Sequence, residues 1–341
     1  MGYSKVNNKQ LSNEVVNPFA QELILAVNSN DGTGIRAFGI DTQTDLGVFY
    51  SSSTATGSII RIRELNAIRA IAVMSVSGNY VDIVDVDTRT SKYTLPTFNN
   101  RVYDVAVIGN YLIFVGAFTN YFKVIDLTTK LEITGFPSFD GEIRSIQALP
   151  DGRLVIWGRF TNYFKVIDFY KKQEITGYPT YNFSLSAGNF RNELEITNGS
   201  EAIILYRENN GGNEYFVALK ININTKLEML HSPTGVYNTT DNPLYWDGNR
   251  FRGGGSNTIT QNELNINSSG GGSGISLAEA FLATWSVSNK ARSNRYVRKP
   301  YTNNLYKYTY DGTTAVTTLT FACADSEGYN KHAIVTDLLK S

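Results

Sequence analysis

Groups able to do chemistry are few in this chain, and they do not cluster. Its two histidines, His231 and His332, stand far apart, so neither a histidine metal cluster nor a Ser-His-Asp relay is easily assembled. The single cysteine, Cys323, lies within the apolar run LTFACA, which suits a small core residue better than a thiolate nucleophile. Asp85 and Asp87 are two apart in VDIVDVD and would share one strand face, as an acid/base carboxylate pair requires. The same residues also suit a turn, where an Asp side chain accepts from backbone two residues on, and the turn is the preferred reading. The stretches NSNDGTG (28–34) and ADSEGYN (324–330) have oxygens enough to chelate a hard cation, yet each reads more simply as a hairpin loop. Two glycine runs, FRGGG and SSGGGSG, lack the Gly-Lys-Ser/Thr ending of a phosphate loop. No catalytic residue, metal ligand or cofactor is expected.

One segment stands out for binding instead. Residues 238–276 combine Tyr245, Trp246, Arg250 and Arg252 with both glycine runs, in a stretch longer than its neighbours. Long loops on a rigid scaffold are where function tends to sit, so these four residues form a candidate interaction loop, with a simple spacer as the alternative.

The elements that must position such groups are strands. Charge is balanced, 31 basic residues against 31 acidic, which removes any global electrostatic case for nucleic acid or an anionic membrane. Asn makes up about a tenth of the chain, and Tyr and Phe together number 39, a mixture of turn formers and strand formers. The start, MGYSKVNNKQLSNEVV, is polar and gives no sign of a signal peptide, and no apolar run is long enough to span a bilayer.

The arrangement of those strands is set by a repeat. GAFTNYFKVIDLTTKLEITGFP (116–137) returns as GRFTNYFKVIDFYKKQEITGYP (158–179), identical at 16 of 22 positions with an offset of 42. Each copy holds two strands and comes after a hairpin, with Gly109-Asn110 at one tip and Asp151-Gly152 at the other. The unit is therefore four antiparallel strands in about 42 residues, the size of one propeller blade. Weaker copies place turn-opening anchors at Asp41, Asp85, Asp126, Asp168, Asn222, Ser288 and Asp337, which makes seven blades. One twisted sheet cannot cover both its faces, so repetition is a route to burial. The expected fold is an all-β propeller of seven four-stranded blades, with residues 21–341 as one domain. Residues 1–20, through NEVVNPFA, are expected to supply the missing last strand and close the ring. Phe118 and Phe160, equivalent in the two copies, are expected to be buried.

The stretch ALPDGRLVIWG…YFKVIDFYKKQEITGYP resembles the YVTN-type β-propeller repeat, with its Pro-Asp-Gly hairpin and Val-Ile-Asp third strand. The match is good over 101–179 and weaker outside it. The Gly-x-Phe-Thr-Asn stretch is also similar to repeats in large adhesins and phage tail proteins. The Ser-x-Asp-x-Gly-x-x-Trp box of sialidase-type propellers does not occur. Such motifs report a fold more than a chemistry. The expectation is a non-catalytic structural or adhesion subunit, part of a bacteriophage tail or baseplate and made in the host cytoplasm. Its partners would be other virion subunits and a host-surface glycan or protein, without nucleic acid or membrane insertion. The rival expectations are a glycan-binding or hydrolytic propeller using its central funnel, and a cytoplasmic interaction platform.

Overall fold

The computed structural model describes residues 17–27, 34–51, 59–75, 80–183, 193–197, 199–210, 213–237, 244–246, 251–253, 285–288, 294–298, 304–309, 315–320 and 333–340. These are all β apart from one 3-10 turn at Asn66–Ile68, and every strand pairing among them is antiparallel. The first sheet contains β1 (Leu23–Val27), β2 (Gly34–Gly39) and β3 (Thr44–Ser51). The second holds β4 (Ile59–Leu65), β5 (Ala70–Ser75) and β6 (Val81–Asp85). The third runs β7 (Val102–Ile108), β8 (Tyr111–Gly116), β9 (Phe122–Asp126) and β10 (Glu132–Ile133). The fourth repeats it with β11 (Glu142–Ala148), β12 (Arg153–Arg159), β13 (Phe164–Asp168) and β14 (Gln173–Glu174). The fifth comprises β15 (Glu193–Thr197), β16 (Glu201–Asn210), β17 (Asn213–Asn222) and β18 (Leu227–Tyr237). The sixth is the ribbon β19 (Leu244–Trp246) and β20 (Phe251–Gly253). The seventh has β21 (Trp285–Ser288), β22 (Asn294–Arg298), β23 (Asn304–Thr309) and β24 (Ala315–Thr320). Finally β25 (Ala333–Thr336) returns to the first sheet and pairs with β1.

Alternation along each strand feeds two different seams. In β8, Leu112 and Phe114 pack toward the second sheet, while Ile113 and Val115 pack toward the fourth. In β12, Leu154 and Ile156 face back to the third sheet, and Val155 and Trp157 face forward to the fifth. The repeated FKVID strands share one burial pattern, with Phe122 and Phe164 forward and Ile125 and Ile167 back. Period-two patterning thus makes each sheet a layer between two neighbours. Phe118 and Phe160 are 2% and 4% exposed, as the repeat implies. Truncating Phe160 to alanine is expected to cost about 3–5 kcal/mol. Denaturant titration reads this, and a loss below about 1 kcal/mol would contradict a tightly packed seam.

A lysine clasp recurs at the rim of these seams. Lys130, Lys172 and Lys226 each hold positive φ (64°, 55° and 63°) in the turn after the third strand. Their ammonium groups lie 4.6, 5.4 and 5.6 Å from the ring centres of Tyr93, Phe136 and Tyr178, which belong to the preceding unit. Lys172 and Lys226 also donate to the Thr134 and Thr176 carbonyls, at 2.7 and 2.6 Å.

The turn reading of the anchors holds at four positions. Asp85, Asp126, Asp168 and Asn222 close β6, β9, β13 and β17, and each side-chain oxygen accepts backbone N–H groups two or three residues on. Asp41 comes after β2, also the third strand of its sheet. Two anchors were misplaced. Ser288 ends β21, the first strand of the seventh sheet, and Asp337 lies just past β25, which edges the first sheet. In both cases the local polar residue resembles the anchor, but sheet order is fixed by distant pairing.

The chain ends also meet differently from expectation. β25 extends the first sheet at β1, whereas residues 17–20 form a turn in which Asn17 Oδ1 accepts the Phe19 N–H at 3.1 Å. Residues 1–16 of the expected closing segment lie outside the described residues. So do Cys323, His332 and both proposed cation loops save Gly34, which opens β2, while His231 lies in β18 instead of a turn.

Candidate functional site

The two near-identical copies differ most in the connection on their C-terminal side. Between β10 and β11 the connection is residues 134–141, whereas between β14 and β15 it is residues 175–192. The longer connection, of which 184–192 lie outside the described residues, turns a shared loop into a cleft.

The shared loop is Phe-Thr-Asn-Tyr. In both copies its Asn and Tyr have positive φ, 68° and 57° at Asn120 and Tyr121, 73° and 55° at Asn162 and Tyr163. Asn tolerates this region well and Tyr poorly, so other contacts must hold the loop. Tyr163 donates its N–H to the Phe160 carbonyl at 2.8 Å and accepts from Gly158 N–H at 3.0 Å. Thr161 donates both its N–H, at 2.9 Å, and its hydroxyl to the Asp140 carboxylate. In the sister copy Asn99 takes that place, accepting from Thr119 N–H at 3.0 Å. The two Thr161 donors hold Asp140 below the usual carboxylate range.

The cleft has a volume of about 580 Å³ and is walled by Asp140, Arg159, Thr161, Asn162 and Tyr163 on one side and Tyr181, Asn182 and Phe183 on the other. The walls are fastened to each other: Tyr163 Oη donates to the Phe183 carbonyl at 2.6 Å, and Asn162 bridges Tyr181 through backbone. Tyr181 stacks on Phe183 at 4.9 Å and 18°. Burial, with the Glu228 carboxylate nearby, pushes the Tyr181 phenol up. Trp157 packs against Tyr163 and Phe183, fully buried, and its indole N–H has no hydrogen-bond partner among the described residues.

A second polar cluster is structural in character. Register shifts in β4, β7 and β11 fall just before Arg61, Asp104 and Ser145, so these three occupy one position in three successive sheets. Opposite two of the bulges stand Gly116 and Gly158, where a Cβ would run into the Arg101 and Glu142 carbonyls. Asp104 is wholly buried, and its oxygens accept Arg63 Nε and Nη2 at 2.6 and 2.7 Å, Ser145 Oγ at 2.8 Å and the Ile146 N–H at 3.1 Å. Arg61 Nη1 lies 3.5 Å away. Burial acts to raise the Asp104 pKa, but the Arg61 and Arg63 charges and the Ile146 N–H together leave it below the ordinary range. Similar links continue along the first strands, with Thr336 Oγ1 donating to Glu64 at 2.9 Å and Gln147 Nε2 to the Leu194 carbonyl at 3.2 Å.

Asp85 and Asp87 do not act as a proton-sharing pair. Asp87 faces Arg69 at 2.8 Å and Asp85 faces Lys92 at 2.5 Å. Burial works to raise the Asp85 pKa, but Lys92 and the turn N–H groups bring it down to about 2. Among the described residues no group of three or more His, Cys, Asp or Glu is placed to hold a metal ion. No helix among them is long and apolar enough to cross a membrane.

Of the expected interaction loop, the backbone places Tyr245 opposite Arg252 and Trp246 opposite Phe251 across β19 and β20. Arg250 lies outside the described residues, as does the stretch 254–276. Sequence reasoning missed the cleft at 140–183; the longer connection after the second copy was the signal available.

No family model matches the chain, and no curated protein does. Chains of solved structures do, 593 of them, so the sheet arrangement is widely shared. One is the computationally designed Ika8 protein, 13% identical with a TM-score of 0.54 over 89% of each chain. Another is hydrazine synthase from Kuenenia stuttgartiensis, 12% identical with a TM-score of 0.53 over 80% of this chain and 90% of that one. At such identities the likeness is one of fold alone.

Proposed function

We propose that the seven sheets are the blades of a β-propeller and that the chain is a non-catalytic structural and adhesion subunit of a bacteriophage tail or baseplate. The ring is supported by the first strands: β25 neighbours β4, and β4, β7, β11, β15, β19 and β21 succeed one another in order, with β21 beside β25 again. The observation that carries the non-catalytic reading is the use of the acids. Along the first strands, Asp104 is saturated by two guanidiniums, a hydroxyl and backbone, and Glu64 accepts from Thr336. The anchors at Asp85, Asp126 and Asp168 serve turns spread around the sheets. A hydrolytic site needs such groups gathered and poised to exchange protons. The virion assignment rests on the resemblance of the Phe-Thr-Asn repeat and on composition, and its partners would be neighbouring virion subunits. Mass spectrometry of purified particles from the source tests it. The chain is expected at stoichiometric abundance, and its absence from particles would refute the assignment.

A further inference from the structure

We propose that the cleft between Asp140 and Phe183 is a binding site for a neutral, hydroxyl-rich ligand, a sugar. The proposal concerns binding alone and holds whether or not the chain is a virion part.

Three features of the lining converge on it. The volume of about 580 Å³ lies within the usual range for small-ligand sites. One carboxylate, Asp140, and one guanidinium, Arg159, share the walls, so the lining carries no net charge to attract an ion. Between them stand hydroxyl and amide groups, Thr161, Asn162 and Asn182, beside the rings of Tyr163 and Tyr181. A sugar presents the matching surfaces, hydroxyls around the edge and C–H groups on the face.

The site is also built before any ligand arrives. The Thr161 clamp on Asp140, the Tyr163 link to Phe183 and the unusual backbone at Asn162 and Tyr163 fix the walls relative to each other. A fixed wall loses little freedom on binding. Backbone held in sparsely populated conformations is found where the surrounding structure has reason to hold it.

The sister copy offers a comparison. It keeps the same loop, with Tyr121 and Thr119, while its shorter connection packs Phe136 and Phe139 on Phe122, at 5.4 and 5.7 Å. In the second copy the connection carries Tyr181, Asn182 and Phe183 to the loop. The residue clamping the loop also changes, from Asn99 to Asp140, from an amide to a pure acceptor.

The test is saturation-transfer NMR and calorimetry on the full chain with glucose, galactose, mannose and N-acetylglucosamine, with sialyllactose and a mixed-charge peptide as comparators. At least one neutral sugar is expected to bind at millimolar concentration. Asp140→Asn restores the sister copy's residue, so it should keep the fold while weakening that sugar about tenfold. Asn182→Ala, at an exposed position, should also weaken it. No binding of any neutral sugar by folded protein overturns the proposal, as does binding of only the peptide or of sialyllactose. Sugar binding unaffected by both substitutions would place it elsewhere and equally overturn the assignment. Particle incorporation, measured separately, bears only on the virion reading.

Discussion

Replacing Asp104 with alanine is expected to destabilise the protein by about 3–5 kcal/mol, because it removes the buried carboxylate that both Arg61 and Arg63 face. The loss comes mainly from leaving two buried guanidiniums without their shared carboxylate. Attraction within an intact buried network is largely offset by the desolvation of its members. Asp104→Asn should therefore cost less, since the amide oxygen can still accept from Ser145 or Arg63. Acid behaviour is set by the same geometry. The folded state holds the Asp104 pKa below the unfolded value of about 3.9, so its contribution is fully present above that value and is lost as pH falls through the folded one. Denaturant titrations at neutral pH and near pH 3 read both effects. The asparagine variant should show a smaller difference between the two conditions than the parent. An alanine variant as stable as the parent at neutral pH would show that the network is not buried as described.

Deleting residues 333–341 should have an effect of similar size. β25 covers the edge of β1, pairing Ala333 with Ala26 through to Thr336 with Leu23, and Leu339 is buried in the seam between the first two sheets. Without them, the wholly apolar strand LILAV presents an unpaired edge, a template for association with other chains. The truncated chain is expected to aggregate or to be cleaved by protease at concentrations where the parent stays monomeric. Addition of a peptide of residues 333–341 should partly restore resistance. A truncated chain that remains monomeric with unchanged melting would show that β25 does not seal this sheet.

What could be read from the sequence was whatever repeats locally. The FKVID strands, the Phe118 and Phe160 pockets and the Asx turns at Asp85, Asp126, Asp168 and Asn222 each depend on a short window that carries its own burial pattern. The pairing of β25 with β1 depends on residues at opposite ends of the chain and leaves no periodic trace. Ser288, which ends a first strand, resembles an anchor locally for the same reason. Arg61, Asp104 and Ser145 escaped notice because they share a position without sharing a chemistry; their spacings of 43 and 41 residues and the glycines opposite two of them were the only marks. The Thr-Lys turn did recur in sequence at Lys130 and Lys226, yet its reach to the ring of the preceding unit depends on how sheets stack. The cleft is hidden for another reason. Its lining comes from a departure from the repeat, and repetition is what draws the eye.

The seal between β1 and β25 has a consequence for how the polypeptide is made. Leu23–Val27 leaves the ribosome well before its partner strand, which lies about 300 residues further on. At ordinary elongation rates that gap lasts roughly 15–60 s. Throughout it, the nascent first sheet must wait half-dressed, although later sheets can already fold behind it. The interval makes the amino-terminal sheet the natural client of a holding chaperone. Ribosome stalling anywhere between the two strands lengthens that interval.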